Sequence, residues 1–292
     1  MSKHSIVAMR SIRLYEREWF SHTGHRTYEL ADRLYRMASA GLPTIARIRD
    51  ENRETEFIAT WPTDTLVHRL ARMAAHDMFY DEIDTTPSSW ELRDETAPRG
   101  VRPVRYMSVT VAMRHYGLEH GADSFEVPRT SDVSDACHDY FTSDLMWSET
   151  YDQLLHTMAA EVFHTVFPYR TMLYNLNRIA AAVVSELDAE MCSEEPKVAS
   201  LFAQPGRLAR KKFPDWAQPV VCHRDRNHCT YCRCDLTRGG TPLGKGNFDH
   251  MVPLAEGGLN DITNIQLLCR DCNSEKSAKL IEPSDQYIKW FP

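Results

Sequence analysis

The residues best suited to chemistry lie near the C-terminus, where an Asp-His pair stands between two Cys-x-x-Cys pairs. The cysteine pairs are Cys229 with Cys232 and Cys269 with Cys272. Thiolates separated by two residues can bind one ion from a single tight turn, and two such turns complete a tetrahedral zinc site. The spacing therefore predicts a structural Zn²⁺ that joins two distant segments and holds the Asp-His stretch between them.

One alternative ligand pair is present, because Cys234 follows Cys232 after a single residue. A gap of one residue makes a poorer metal-binding turn than a gap of two, so Cys229 and Cys232 are the preferred pair. Disulfides are less expected, since Cys-x-x-Cys pairs in a chain that reads as intracellular favour metal. Cys137, Cys192 and Cys222 are then free thiols, together with Cys234.

Catalysis would need a second ion, because zinc bound by four thiolates has no open position for water. Asp249 offers a carboxylate and Asn273 an amide oxygen, and both ligands suit Mg²⁺ or Mn²⁺. The neighbouring His250 could take a proton from water, since the usual pKa of histidine is near 6.5. Adjacent side chains on a strand point to opposite faces, so a bend or bulge is expected at this pair.

Together these residues resemble the HNH, or ββα-metal, endonuclease family, in the subclass that is stabilised by a four-cysteine zinc. The resemblance covers about the last quarter of the chain. Order, residue types and spacing all agree with the family pattern. The matching residues are Cys229, Cys232, Asp249, His250, Pro253, Gly257, Gly258, Asn264, Cys269, Cys272, Asn273 and Lys276.

The resemblance implies a role for each residue of the motif. His250 would be the general base, and Asp249 with Asn273 would bind the catalytic Mg²⁺ or Mn²⁺. Asn264 would brace the loop that orients the histidine, and Lys276 would contact a phosphate. The third motif residue of the family is often histidine, and Asn273 takes its place here.

The predicted fold is a mainly α N-terminal domain followed by a small C-terminal α+β module of the ββα-metal type with its four-cysteine zinc. Within that module we expect strands over 247–254 and 265–268, a loop over 255–261, and a helix that begins at Asn273. The predicted boundaries are 1–204 for the helical domain, 205–220 for a basic linker and 221–292 for the nuclease domain. A length of 292 residues agrees with two domains.

The balance of basic and acidic residues differs between the predicted domains. Residues 1–204 carry 21 Lys or Arg against 31 Asp or Glu, whereas 221–292 carry nine of each. An acidic region is a poor non-specific phosphate binder, so the helical part is predicted to meet a protein partner or trigger. Arg210, Lys211 and Lys212 in the linker are predicted to lie along a nucleic-acid backbone. A linker that only improves solubility is the alternative.

Helices are predicted within 1–60, from Thr63 or Asp64 onwards, and over 151–166 and 173–191, the last two as a helical hairpin. Loops are expected over 81–103 and 117–135, and 104–113 fits a strand or a buried helix. Glu161 and His164 have the spacing of a carboxylate-bridged metal site, but the second copy that such a site needs is missing from the sequence.

No apolar run approaches the ~18 residues of a membrane helix, and no secretory signal is visible, so a cytoplasmic location without membrane contact is expected. The sequence predicts a metal-dependent endonuclease that acts on nucleic acid, with DNA favoured over RNA and RNA left as the alternative. A further hypothesis is an effector of restriction or anti-phage defence that its N-terminal domain regulates. The alternative is a non-catalytic, zinc-stabilised module that binds nucleic acid or protein.

Overall fold

The computed structural model describes residues 23–50, 54–85, 101–104, 107–118, 125–128, 132–187, 196–237 and 248–287. The part of the predicted N-terminal helix that falls on 1–22 lies outside these residues, as does Cys192. None of the helices in the described ranges is both long enough and apolar enough to cross a membrane.

The N-terminal part is mostly helical, which confirms that prediction. Leu30 and Leu34 are four residues apart and fully buried, so one helical face enters the core. The first helix ends at Gly41, whose φ of +63° lies in the region that glycine adopts without strain. The helices of the N-terminal part are α1 (Thr27–Ala40), α2 (Leu42–Asp50), α3 (Leu66–Thr85), α4 (Ser108–His115), α5 (Val133–Ser143), α6 (Glu149–Val166) and α7 (Arg170–Val184).

Several predicted boundaries in this part are wrong. The α3 helix begins at Leu66 rather than after Thr63 or Asp64, and the Asp64 carboxylate instead accepts hydrogen bonds from Arg69 and Arg72. The predicted loops over 81–103 and 117–135 contain the end of α3, the start of α5 and two strands. Those strands, β1 (Val101–Val104) and β2 (Phe125–Pro128), pair in antiparallel fashion.

The ambiguous stretch 104–113 is mainly helix, because α4 covers most of it. Packing also differs from the expected hairpin of two consecutive helices. The α6 helix packs mainly against α3 and α1, whereas α7 packs mainly against α2 and α1. The predicted hairpin is therefore wrong, because the two long helices share α1 as a neighbour and do not pack mainly on each other.

The C-terminal part contains two short antiparallel sheets and short helices. Strands β3 (Phe202–Gln204) and β4 (Arg207–Leu208) form the first sheet, so the predicted linker over 205–220 is partly ordered structure. A short helix, α8 (Pro196–Ala199), precedes this sheet, and α9 (Ala217–Arg224) follows it. Strands β5 (Phe248–His250) and β6 (Ile265–Leu267) form the second sheet, and α10 (Arg270–Lys276) ends the module.

Two predictions within the module need correction. The first strand is shorter than the expected 247–254, because the chain bends directly after His250. The final helix begins at Arg270 with Cys269 as its N-terminal cap, so Asn273 lies inside the helix. The Asn273 backbone N–H therefore donates to the Cys269 carbonyl oxygen and is not free for a phosphate.

The C-terminal module packs directly on the helical part, and one hydrophobic core includes residues of both. The fully buried Asp261 accepts a 2.8 Å hydrogen bond from the Leu66 backbone N–H at the start of α3. Asn177 on α7 donates to Thr263, and Arg170 on the same helix pairs with Asp225 in the module. These contacts fix the position of the loop that follows His250.

Gly257 shows how closely the two parts approach each other. Its φ is +78°, and a Cβ atom at this position would lie 2.6 Å from the Ala181 carbonyl oxygen of α7. Any side chain here would therefore force the loop away from the helix. The predicted Gly-Gly turn is thus a packing requirement as well as a turn.

Candidate active site and cysteine cluster

Asp249, His250 and Asn273 line one cleft, which has a volume of about 600 Å³. The first two residues lie at the end of β5, and the third projects from α10. The β5–β6 register is regular, with Asp249 opposite Gln266. The strand ends at the histidine, which allows two adjacent side chains to reach the same cleft, as the predicted bend requires.

The Asp249 carboxylate is held through one of its two oxygens. Lys276 Nζ lies 2.9 Å from Asp249 Oδ2, and Gln266 Nε2 donates to the same oxygen at 3.3 Å. Among the described residues, no hydrogen-bond donor reaches Oδ1. The carboxylate is therefore oriented from behind while one oxygen stays available, which fits a ligand of a hard divalent cation. Asn273 adds a neutral amide oxygen in the same cleft.

The contacts of Lys276 differ from the phosphate contact that the resemblance implies. Its side chain is 1% exposed, and Nζ also donates a 2.8 Å hydrogen bond to the His250 carbonyl oxygen. The ammonium group thus joins the two adjacent residues of β5 from inside the module. A phosphate contact by Lys276 would require these two bonds to break, whereas positioning of Asp249 requires no change.

His250 is buried, and neither of its ring nitrogens has a hydrogen-bond partner among the described residues. Burial lowers the pKa of His250 to about 4, and the positive charge of Arg210 contributes in the same direction. The Asn260 side chain lies beside the ring and raises the pKa, although no hydrogen bond of normal geometry joins the two groups. The imidazole is therefore neutral at pH 7, which is the form that can accept a proton.

Asn264 bridges both ends of the loop that follows His250. Its Oδ1 accepts a 2.8 Å hydrogen bond from the Val252 N–H, and its Nδ2 donates to the carbonyl oxygens of Val252 and Leu259. The side chain is fully buried, so each of these bonds is shielded from water. This geometry suits the loop-bracing role that the resemblance implies.

Five cysteines lie at one place in the module, and four of their thiols form a set that could hold one metal ion. The Sγ atoms of Cys229, Cys232, Cys234 and Cys269 lie within 4.8 Å of one another. Cys232 Sγ and Cys269 Sγ are 3.7 Å apart. Two sulfur atoms bound tetrahedrally to zinc at about 2.3 Å would be about 3.8 Å apart, so this spacing fits such an ion.

Cys272 lies at the same cluster, although the set with mutual distances within 4.8 Å contains Cys234 instead. Its backbone N–H donates to Cys269 Sγ at 3.4 Å. Burial and the thiols of Cys269, Cys232 and Cys229 raise the pKa of the Cys272 thiol. Both Cys234 and Cys272 are therefore close enough to supply the fourth ligand, and the alternative left open by the sequence remains.

Several residues that surround His250 could not be found from sequence patterns. The Trp61 ring, from the helical part, lies 6.0 Å from the His250 ring between centroids. The Trp61 backbone N–H donates to the Asn260 carbonyl oxygen at 2.8 Å. Phe213 and Phe248 continue this group of rings. Trp61 stands far before the motif in the chain, and only folding brings the two together.

Glu161, which stands with His164 at the spacing of a metal site in the sequence, has a different environment. Its carboxylate is fully buried and accepts hydrogen bonds from Thr23, Gly24, Thr27 and Tyr116. These donors stabilise the negative charge and lower the pKa of Glu161 despite its burial. The acid joins the N-terminal end of α1 to α6 and is a structural residue.

A family model described as HNH endonuclease matches residues 229–279, which include both Cys-x-x-Cys pairs and all of the cleft residues from β5 and α10. No curated protein and no solved structure matches the chain. Residues 229–279 are therefore an HNH endonuclease domain in the C-terminal part of the chain, with four cysteines close together that could bind zinc.

Proposed function

We propose that the C-terminal module hydrolyses phosphodiester bonds as a metal-dependent endonuclease. The observation that carries the proposal is the cleft that brings together Asp249, Asn273 and the neutral His250. These three groups supply a carboxylate, an amide oxygen and a base, which is the set that such a reaction needs.

In the proposed reaction, His250 accepts a proton from a water molecule, and the water oxygen attacks phosphorus. The bond between phosphorus and the 3′ oxygen breaks, and that oxygen takes a proton from solvent. Asp249 and Asn273 would hold a Mg²⁺ or Mn²⁺ ion, which stabilises the negative charge that develops on the phosphate and on the leaving oxygen. Lys276 keeps the Asp249 carboxylate in place throughout.

Arg207 and Arg210 line the same cleft and are exposed, so they can bind the phosphates next to the cleaved bond. The two neighbours Lys211 and Lys212 extend this positive surface along the chain. The proposed substrate is nucleic acid, DNA in preference to RNA. The proposed site of action is the cytoplasm, where reducing conditions keep thiols available to zinc.

Digestion of plasmid DNA and RNA by the zinc-replete chain, with and without added Mg²⁺ or Mn²⁺, tests this function. We expect cleavage that requires the added ion. Binding of nucleic acid without cleavage under every condition would favour the alternative, a zinc-stabilised binding module. The positive surface around Arg210 would serve that module as well.

The structural zinc is tested by elemental analysis of single cysteine variants. We expect one Zn²⁺ per chain, and its loss in Cys269→Ser. Cys234→Ser and Cys272→Ser identify the fourth ligand, because only the variant that lacks a true ligand should lose affinity for zinc. A wild-type chain purified without zinc would contradict the assignment.

We further propose that the helical part regulates cleavage. The hypothesis that the protein is an effector of restriction or anti-phage defence depends on this regulation. The contact between Trp61 and the His250 ring supports the regulation, because a local change in the position of Trp61 would rearrange the surroundings of the base. A set of candidate triggers, including phage extracts, should change the cleavage rate of the full chain if this regulation exists.

A further inference from the structure

A second cavity, of about 300 Å³, lies beside the cleft that contains Asp249, and His250 lines both. Three aromatic side chains line the second cavity. The ring centroid of Trp61 is 5.1 Å from that of Phe213, which is 4.6 Å from that of Phe248. All three side chains are only partly buried, so ring surface remains available to a planar ligand.

The same cavity is lined by three consecutive cations, Arg210, Lys211 and Lys212. Within the part of the chain that the structure describes, no carboxylate forms an ion pair with the first two. Among the same described residues, Lys212 pairs with the exposed Asp215 alone, at 3.6 Å. An anionic ligand could therefore bind at the opening while an uncharged ring packs on the aromatic wall.

Buried polar atoms at this point lack partners within the described residues. Those that belong to residues lining the cavity are Trp61 Nε1 and both ring nitrogens of His250. Buried polar groups are nearly always hydrogen-bonded to protein, water or a ligand, so these atoms are groups whose bonding a ligand in the cavity can complete. The indole N–H of Trp61 can donate to an acceptor on the edge of a heterocycle.

We propose that this aromatic cavity receives one unpaired nucleobase of the strand whose phosphodiester occupies the larger cleft. The proposal rests on the proposed nuclease function and specifies its substrate. Aromatic faces stack on bases, and neighbouring cations bind the backbone that carries them. A base inside a duplex has its faces covered by its neighbours, so the preferred substrate is single-stranded or locally unpaired nucleic acid.

Through Trp61, the cavity depends on both the helical part and the C-terminal module. The residue belongs to the helical part, and its backbone is fixed to the nuclease loop through the Asn260 carbonyl oxygen. The helical part thus supplies a wall of the substrate site. Selectivity for unpaired substrate is therefore a property of the full chain.

The test measures binding by the full-length, zinc-replete protein without added divalent ions, using fluorescence anisotropy. The probes are a labelled single strand, the same strand in a duplex, and a strand of equal length and charge that carries abasic sites in its central segment. We expect the strand with bases to bind about tenfold to a hundredfold more tightly than the abasic strand. The duplex should resemble the abasic strand.

Variants show whether Trp61 produces this preference. Trp61→Ala should reduce the preference for bases to nearly one while binding of the abasic strand is kept, and Trp61→Phe should retain part of it. Phe213→Leu serves as the second variant if Trp61→Ala fails to fold. Trp216→Ala is the matched control, because Trp216 is 44% exposed and does not line the cavity.

Equal binding of the three probes by the wild type would overturn the proposal, and so would an equal loss for all probes in Trp61→Ala. Cleavage assays on the same strands with Mg²⁺ separate the two proposals. A preference for unpaired bases without any cleavage would keep the base cavity and reject the nuclease function. Cleavage without that preference would keep the nuclease function and reject the base cavity.

Discussion

Glu161 and His250 are buried side chains from different regions, and each stands at a spacing that could serve chemistry, although only His250 belongs to a complete motif in the sequence. The carboxylate of Glu161 accepts bonds from backbone N–H groups and from the hydroxyls of Thr27 and Tyr116. The imidazole of His250 has no partner among the described residues, although it lines a cleft. Both groups are buried, and they differ in whether the protein itself completes their hydrogen bonds.

This difference separates structural from functional polar groups in the chain. A buried group whose bonds are all made within the protein adds to the free energy of unfolding and gains nothing from a ligand. A buried group left without partners beside a cleft costs stability, and that cost is consistent with a role in binding or catalysis. Substitution of Glu161 should therefore change the stability of the fold, whereas substitution of His250 should change the rate of cleavage.

His250→Ala should have the largest effect on cleavage. Removal of a general base costs roughly 10²–10⁴-fold in rate. We expect the variant to keep its zinc, its circular dichroism spectrum and its affinity for nucleic acid. His250→Asn provides a second test with a polar side chain of smaller size, and His223→Ala is the control because that histidine is exposed. Unchanged cleavage by both variants at position 250 would remove this mechanism.

Lys276→Met tests a residue that is buried like Glu161 but serves the cleft. The substitution removes the ammonium group that holds Asp249 Oδ2, so the carboxylate loses its fixed orientation. Loss of such an indirect partner typically costs 10–100-fold in metal affinity. The Mg²⁺ or Mn²⁺ concentration that gives half-maximal cleavage should rise by about this factor. Lys279→Met, at an exposed position on the same segment, should leave it unchanged.

If Lys276→Met instead weakens binding of nucleic acid and leaves the metal requirement unchanged, then Lys276 contacts phosphate, as the sequence predicted. The measurement thus decides between the two roles. It also decides whether a buried side chain with two partners inside the protein can still serve the cleft.

Glu161→Gln should alter stability and leave cleavage unchanged. The amide cannot replace the charge that four donors now surround, and its NH₂ group faces donors. Hydrogen bonds to a charged group contribute about 1.5–3 kcal/mol each, so a loss of about 2 kcal/mol is expected. Thermal denaturation should show a fall of about 4–8 °C in Tm. Glu149→Gln on the same helix, at an exposed position, should have less than half this effect.

The sequence predicted the parts of this molecule that depend on local spacing. The cysteine pairs, the Asp-His pair and the Gly-Gly turn are all local patterns, and the structure assembles them within one module. The helical character of the N-terminal part was likewise visible in the periodicity of residues such as Leu30 and Leu34.

Features that depend on contacts over long distances could not be predicted. The Trp61 ring reaches His250 only because Asp261 and Asn260 bond to the segment around α3. The burial of Lys276 depends in the same way on the β5–α10 packing. The division into a helical domain, a linker and a nuclease domain stays a prediction, and the shared core and the buried pair Arg170–Asp225 oppose independent movement of the parts.

The change in the free energy of unfolding at acidic pH is the smallest effect that we expect, and it tests the role of the Glu161 charge specifically. Because the pKa of Glu161 is lowered from 4.5 in the folded chain, its ionised form stabilises the fold above pH 4.5. That contribution is lost as the pH falls through the lowered folded pKa, since the unfolded chain then binds the proton more readily. Urea titrations between pH 6 and pH 3 should therefore show the wild type converging with Glu161→Gln at the acid end, whereas Glu149→Gln should stay parallel to the wild type. A gap between wild type and Glu161→Gln that does not narrow with falling pH would mean that the charge of Glu161 contributes nothing and that its hydrogen bonds alone stabilise the contact between α1 and α6.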